Sequence, residues 1–204
     1  MSRIVKVSAL VLAVLTAAVP AFAASTSVGP VTVSASVDQV LTLTVVMKKN
    51  NSSGATITSM DFGKLVDVGT GTLRSSATST TGTGSAVAFI TANSSSLPYT
   101  ITQTGTALTS GVNTLPTGAS TVVPVYAAAD NGGQGMPGGA SLGSAGTWAA
   151  ANKVIYTSDA AGAVRTIQAG YSITDDPAAG STAPVPLNQA AGTYTGQVTF
   201  TVTA

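Results

Sequence analysis

A two-residue period recurs along this chain, and it constrains the fold more than any other feature. From Tyr194 onward, Tyr194, Gly196, Val198, Phe200 and Val202 share one parity, while Thr195, Gln197, Thr199, Thr201 and Thr203 share the other. Successive residues of a strand point to opposite faces, so this spacing predicts a half-buried antiparallel strand running to residue 203. The same parity joins Val31, Val33, Ala35 and Val37 to Leu41, Leu43, Val45 and Met47, with Asp38-Gln39 between the two sets. Two strands are expected there, jointed near Asp38, the second running from about Val40 to Met47. No stretch sustains the helical period, and Thr, Val and Gly outnumber helix formers, so the chain reads as all-β.

Polar and glycine-rich punctuation divides the rest. Lys48-Lys49-Asn50-Asn51-Ser52-Ser53-Gly54 predicts a turn, because Asn and Gly tolerate positive φ, and Ala55–Ser59 is its hairpin partner. Met60–Val66 adds short strand material with Phe62 as its core residue, and Asp67–Gly84, almost all Gly, Thr and Ser, predicts a loop or a weak edge strand. Further strands are expected at Ser85–Thr91, Tyr99–Gln103, Thr121–Ala128, Val154–Tyr156 and Val164–Ile173. Pro98 interrupts between the first two of these, and Asp175-Asp176-Pro177 stops the last. Asp130–Gly139 carries too much glycine for regular structure and predicts disorder or an exposed flap. Six to nine short strands separated by turn signals in one domain argue for a sandwich.

The first residues carry Arg3 and Lys6, then an apolar run from Val7 to Val19, then Pro20-Ala21-Phe22-Ala23. That is the build of a secretory signal, and the run falls short of the ~20 residues a spanning helix needs. Removing residues 1–23 leaves about 180 residues, enough for one domain with a core of its own. It also leaves six basic residues against seven aspartates, a net charge of −1 with no basic face for nucleic acid. Only 7% of the chain is charged, against roughly a quarter or more on ordinary soluble surfaces, and Thr, Ser, Gly and Asn take that place. Such a surface suits close contact between copies.

The chain has no Cys, His or Glu. No disulfide can form, and neither the usual zinc and transition-metal ligand sets nor a Ser-His-Asp or Cys-His arrangement can be assembled. Asp130-Asn131-Gly132 and Asp175-Asp176 lack the spaced oxygen ligands of a calcium loop and read as solvated turns. A Ser-Lys nucleophile has nothing to bring its members together, and Lys153 reads as a strand-end charge. Neither catalysis, a cofactor nor a bound metal is expected. Tyr194 reads as a packing residue with its hydroxyl at the rim. The aromatic residues are too dispersed for a stacking platform; Trp148, near the glycine-rich stretch, is the one to test should adhesion be found.

The segment Ala190–Thr203, with its Gly192-Thr193-Tyr194 followed by the alternating strand, resembles the terminal strand of bacterial pilin-like subunits. It resembles in particular the archaic chaperone-usher pilins of the spore coat protein U type. Arg165–Tyr171 and Met60-Asp61-Phe62-Gly63 are similar to the same group of secreted fimbrial β-domains, although many members carry cysteines that this chain lacks. The resemblance implies an immunoglobulin-like β-sandwich missing one strand. A periplasmic chaperone covers the gap until an outer-membrane usher delivers a neighbour's N-terminal extension. On that basis residues 1–23 are a signal peptide, 24–38 a donor-strand extension, and 39–204 the pilin-like domain. Val31, Val33, Ala35 and Val37 are then the side chains lent to a homopolymer or to related subunits. The product is a fimbria exported through the periplasm to the cell surface, supporting adhesion or biofilm.

Two readings of the leading strand stay open at this stage: it is lent to a neighbour, or it is the first strand of its own closed fold. A self-contained secreted β-sandwich that binds a surface glycan or protein through the glycine-rich loop is the alternative function.

Overall fold

A computed structural model describes residues 40–50, 53–67, 69–75 and 86–204 of the chain. The signal-peptide reading and the donor side chains Val31, Val33, Ala35 and Val37 lie outside the described residues. The strands come in chain order as β1 Leu41–Lys49, β2 Thr56–Ile57, β3 Leu65–Asp67, β4 Thr72–Ser75 and β5 Ala86–Ser94. Next are β6 Thr100–Gly105, β7 Thr109–Ser110, β8 Asn113–Thr114, β9 Ser120–Val125 and β10 Ser141–Leu142. The series ends with β11 Gly146–Thr147, β12 Lys153–Thr157, β13 Arg165–Ile173, β14 Val185–Pro186 and β15 Val198–Thr203. Helix among the described residues is confined to single 3-10 turns at Thr117–Ala119, Ala128–Asn131 and Pro177–Ala179.

A six-stranded sheet runs β11-β9-β13-β5-β1-β2 and a four-stranded sheet runs β10-β12-β6-β15. A smaller sheet, β14-β4-β3, and the hairpin β7-β8 complete the set, and the pairings are antiparallel. The fold is therefore all-β. In the larger sheet one interior row passes from Val45 to Ile90 to Ile167 across three strands. Ile101, Tyr99 and Tyr156 of the four-stranded sheet and its borders join the same core as Ile90, Ala169 and Tyr171.

The predicted strands at residues 40–47, 85–91, 99–103, 121–128, 154–156 and 164–173 each overlap one of β1, β5, β6, β9, β12 and β13, although β5 runs on to Ser94 and β9 stops at Val125, short of the expected Ala128. β1 continues to Lys49, and its hairpin partner shrinks to Thr56–Ile57, opposite Met47 and Lys48. Met60–Lys64 forms no strand, yet Phe62 is buried as expected, and its carbonyl accepts a hydrogen bond from the Ser75 hydroxyl.

The last strand starts at Val198 rather than Tyr194, because its partner β6 ends at Gly105. Beyond that point the chain pairs elsewhere: Thr109 and Thr195 exchange backbone hydrogen bonds of 2.9 and 3.0 Å. Tyr194 is half-buried, and its hydroxyl donates to the Ala190 carbonyl at 2.6 Å, a packing residue with a polar rim as its sequence suggests.

Trp148, singled out by its sequence neighbourhood as the residue to test for adhesion, lies in the core. Only 2% exposed, it lies beside Phe62 and edge-on to Tyr171, with ring centroids 6.4 Å away in both cases. Its place depends on Gly105, where a Cβ would fall 2.1 Å from the Trp148 carbonyl oxygen. Tyr171 donates from its hydroxyl to Gln103 Oε1, and Gln103 Nε2 donates to that same carbonyl at 3.3 Å. This buried chain of hydrogen bonds ties β13 to β6 and leaves no indole face for a ligand.

The glycine-rich stretch is exposed from Gly132 to Met136, but its start is ordered rather than structureless. Asn131 Nδ2 donates to the Thr166 carbonyl at 2.9 Å and Asn131 Oδ1 accepts from the Thr166 N–H at 2.9 Å, so one side chain mimics a strand partner for β13.

Candidate strand-accepting edge

β15 alternates Val198, Phe200 and Val202, which are half-buried, with Thr199, Thr201 and Thr203, which are exposed. Among the described residues it pairs on one side only, with β6. In the other sheet β1 repeats the arrangement: Leu43, Val45 and Met47 are half-buried while Thr42 and Thr44 face water. β1 is paired along its whole length to β5, but β2 reaches only Met47 and Lys48, so the edge from Leu41 to Val46 has no strand partner among the described residues.

The two edges meet at one corner, where Cα atoms of β1 and β15 come within 8 Å. All six inward side chains pack on the core without being covered by it. Phe200 is the largest of them and meets the Tyr171 ring edge-on at 6.5 Å. Leu41 shares the parity of Leu43 and Val45 and extends that row as an exposed hydrophobic, whereas Val46 lies on the opposite face with Thr42 and Thr44. The corner thus offers two rows of three apolar side chains at two-residue spacing, beside a backbone edge with no strand partner among the described residues. A segment in extended conformation with the same period satisfies both features at once: its amides pair with β15, and its alternate side chains cover both rows.

None of the six side chains titrates, and the perturbed groups lie elsewhere. Burial pushes the Tyr99, Tyr156 and Tyr171 phenols up and the Lys153 ammonium down. Lys153 opens β12, the strand-end position its sequence context suggests. The Asp175 carboxylate is held below its ordinary value first by a hydrogen bond from the Thr72 hydroxyl, at 2.8 Å, then by Thr70 at 2.9 Å and by Arg74 at 3.7 Å. Asp176 caps the 3-10 turn at Pro177–Ala179 by accepting from the Ala178 N–H at 2.9 Å, and Asp130 accepts from Gln168 Nε2 at 2.7 Å. These aspartates are each engaged in local structure, and among the described residues no three His, Cys, Asp or Glu side chains gather.

The parity of β1 and β15 is legible in the sequence, and so is which of their side chains point inward. That both strands lie at the same corner is not, because it depends on sheet order. Comparison with known protein families, curated proteins and solved structures returns no match. No helix among the described residues is long and apolar enough to cross a membrane.

Proposed function

We propose that this chain is a structural subunit of an extracellular fimbria-like fibre. In this reading the body is an immunoglobulin-like β-sandwich whose open corner is completed by the segment Val31–Val37 of another subunit. The observation that carries the reading is the conjunction at the corner of half-covered apolar rows with an edge of β15 that has no strand partner among the described residues. The leading segment has the complementary form, with apolar side chains at every second residue and Thr32, Ser34 and Ser36 between them.

A two- or three-residue turn onto its own β1 does not suit the sequence of this segment. A two-residue loop at Asp38-Gln39 would pair Ala35 with Thr42 and Val33 with Thr44, which lie on the outward face of β1. A three-residue loop restores the inward parity but calls for a left-handed residue at Val40. Val40 is β-branched, which disfavours positive φ there. Val40 instead donates its N–H to Ser95 Oγ at 2.7 Å and accepts from the Ser95 N–H at 3.0 Å, at the margin of β5.

Covering Val31, Val33 and Val37 contributes on the order of 5 to 9 kcal/mol before ordering costs, and the ladder of backbone hydrogen bonds adds to it. With no cysteine in the chain to cross-link subunits, burial and backbone pairing are what a joint would rest on. An export signal, a periplasmic chaperone that shields the corner and an outer-membrane usher belong to the same reading, with adhesion or biofilm as the use of the fibre.

Val33→Asp tests it. A carboxylate facing the apolar rows has no partner, so polymer in the culture medium should vanish while the body stays folded and is still recovered with the chaperone. Polymer at the wild-type level from that variant sinks the proposal.

A further inference from the structure

We propose that Asn131 is a self-modification site: its side chain latches the glycine-rich flap to β13, each opening of that latch exposes the residue to deamidation, and the deamidated product cannot latch again. The latch sits on β13, which β5 separates from β1 in the sheet order, so it is distinct from the corner of β1 and β15.

β13 outruns its partner on one side. β9 stops at Val125, opposite Gln168, so among the described residues no strand pairs with Thr166 on that side. Asn131 takes the vacated place, accepting from the Thr166 N–H and donating to the Thr166 carbonyl, each at 2.9 Å. The same Nδ2 donates to the Ala127 carbonyl at 3.0 Å. A second tether lies beside it, from Gln168 Nε2 to the Asp130 carboxylate at 2.7 Å. The pairing with Thr166 needs a donor and an acceptor on one short side chain, which an amide supplies and a carboxylate does not.

Gly132 follows, and this is the single Asn-Gly step in the chain. With no side chain in the way, a glycine amide is the least hindered nucleophile that can follow an asparagine. In the reaction the Gly132 nitrogen gives up its proton and bonds to Asn131 Cγ, the Cγ–Nδ2 bond breaks, and ammonia leaves with that proton. Solvent water then opens the cyclic imide at one of its two carbonyls, leaving aspartate or its isoaspartyl isomer. Nothing is oxidised or reduced.

The folded geometry holds this chemistry back at both reacting atoms. Three hydrogen bonds fix the Asn131 side chain toward β13 and Ala127. The Gly132 N–H, which must be freed to attack, donates to the Ala128 carbonyl as the cap of the 3-10 turn, with Gly132 in the left-handed region at φ 67°. Both must let go before the atoms can meet, and that release is the opening of the flap. Afterwards a carboxylate oxygen stands where Nδ2 stood. It has no hydrogen for the carbonyls of Ala127 and Thr166, it meets their oxygens instead, and the Asp130 carboxylate is next in the chain. The isoaspartyl form also lengthens the backbone of the turn by a methylene.

Peptide mapping by mass spectrometry on the full-length protein tests this. In one mildly alkaline buffer, Asn131 of the folded protein should deamidate about tenfold or more slower than Asn131 of protein unfolded by denaturant, because only the open fraction reacts. Gln168→Ala removes the neighbouring tether and leaves the Asn-Gly step intact, so it should speed the folded reaction about threefold or more. Asn131→Asp stands in for the product. It should raise hydrogen exchange across residues 128–136 about tenfold or more, while the amides of Ile167, Ala169 and Tyr171 keep their wild-type protection.

Equal rates in folded and unfolded protein overturn the latch as the protecting element. An unchanged rate in Gln168→Ala overturns flap opening as the step that exposes Asn131. Wild-type exchange in Asn131→Asp overturns the loss of the latch, and an unmodified Asn131 after prolonged incubation of the unfolded chain overturns the site itself.

Discussion

β13 and β15 have much the same strand chemistry and opposite fates. Each alternates apolar and small polar residues, yet Ile167, Ala169 and Tyr171 on β13 are fully buried while Val198, Phe200 and Val202 on β15 are only half so. The difference is position in the sheet. β13 lies between β5 and β9, and its Tyr171 is locked to Gln103; β15 has β6 on one side and no strand on the other among the described residues. Period alone specifies which side chains face inward, but neighbours decide how much water they lose. In the reading proposed here, the function of the molecule resides in that deficit.

The largest expected effect sets the two regions against each other directly. Trp148→Ala removes a side chain enclosed by Phe62 and Tyr171, and should cost about 3 to 5 kcal/mol in denaturant unfolding of the body. Phe200→Ala removes a ring that water already touches, and should cost about 1 to 2 kcal/mol in the same measurement, because less surface is uncovered. Equal costs would erase the distinction between a sealed interior and an open corner. In assembled material the ranking should reverse in significance: Phe200→Ala weakens the joint between subunits, whereas Trp148→Ala acts on each body alone.

How much of this is legible in the residues varies by region for physical reasons. β1, β5, β6, β9, β12, β13 and β15 all announce themselves by period, since a two-residue repeat is local information. Phe62 is legible as core because a large aromatic between short apolar runs has few other places to go. Trp148 is not, because its site is made by Gly105 and Tyr171, residues that sequence spacing does not bring together. Asn131 hides for a similar reason: its role as a side-chain partner for Thr166 depends on where β13 passes, so glycine content suggests a loose flap from the first residue. The corner falls between these cases. Leu43, Val45, Met47, Val198, Phe200 and Val202 can each be assigned an inward direction from parity, but only sheet order places them side by side.

Alkaline pH sharpens the same comparison with a smaller effect. Burial holds the Tyr171 phenol neutral, so its ionisation is shifted above the ordinary value near 10 in the folded state. A raised phenol pKa leaves stability unchanged below that value and removes it as pH climbs, since the unfolded chain releases the proton first. The slope contributed by Tyr171 should be about 1.4 kcal/mol per pH unit above roughly pH 10, and Tyr171→Phe should remove that share of the slope. The six inward residues of the corner do not titrate, so Phe200→Ala should leave the slope as it is; a smaller slope would mean that the Phe200 ring is part of what keeps water from Tyr171.

The smallest effect concerns the sheet β14-β4-β3, whose Thr72 and Arg74 hold Asp175. Hydrogen bonds from Thr72 and Thr70 depress the Asp175 pKa, so the interaction stabilises the fold above the ordinary carboxylate value of about 3.9 and fades as pH falls through the lowered one. Asp175 is close to water, and an ion pair so placed, its Arg74 partner more than a third exposed, contributes little. Asp175→Asn should therefore cost less than about 1 kcal/mol at neutral pH, and nothing once the carboxylate is protonated, when the two proteins should unfold together. Because β4 touches neither β1 nor β15 in the sheet order, the variant should polymerise like wild type. Loss of polymer from Asp175→Asn would mean that the small sheet helps to hold the accepting edge, and the corner would then be a larger structure than β1 and β15 alone.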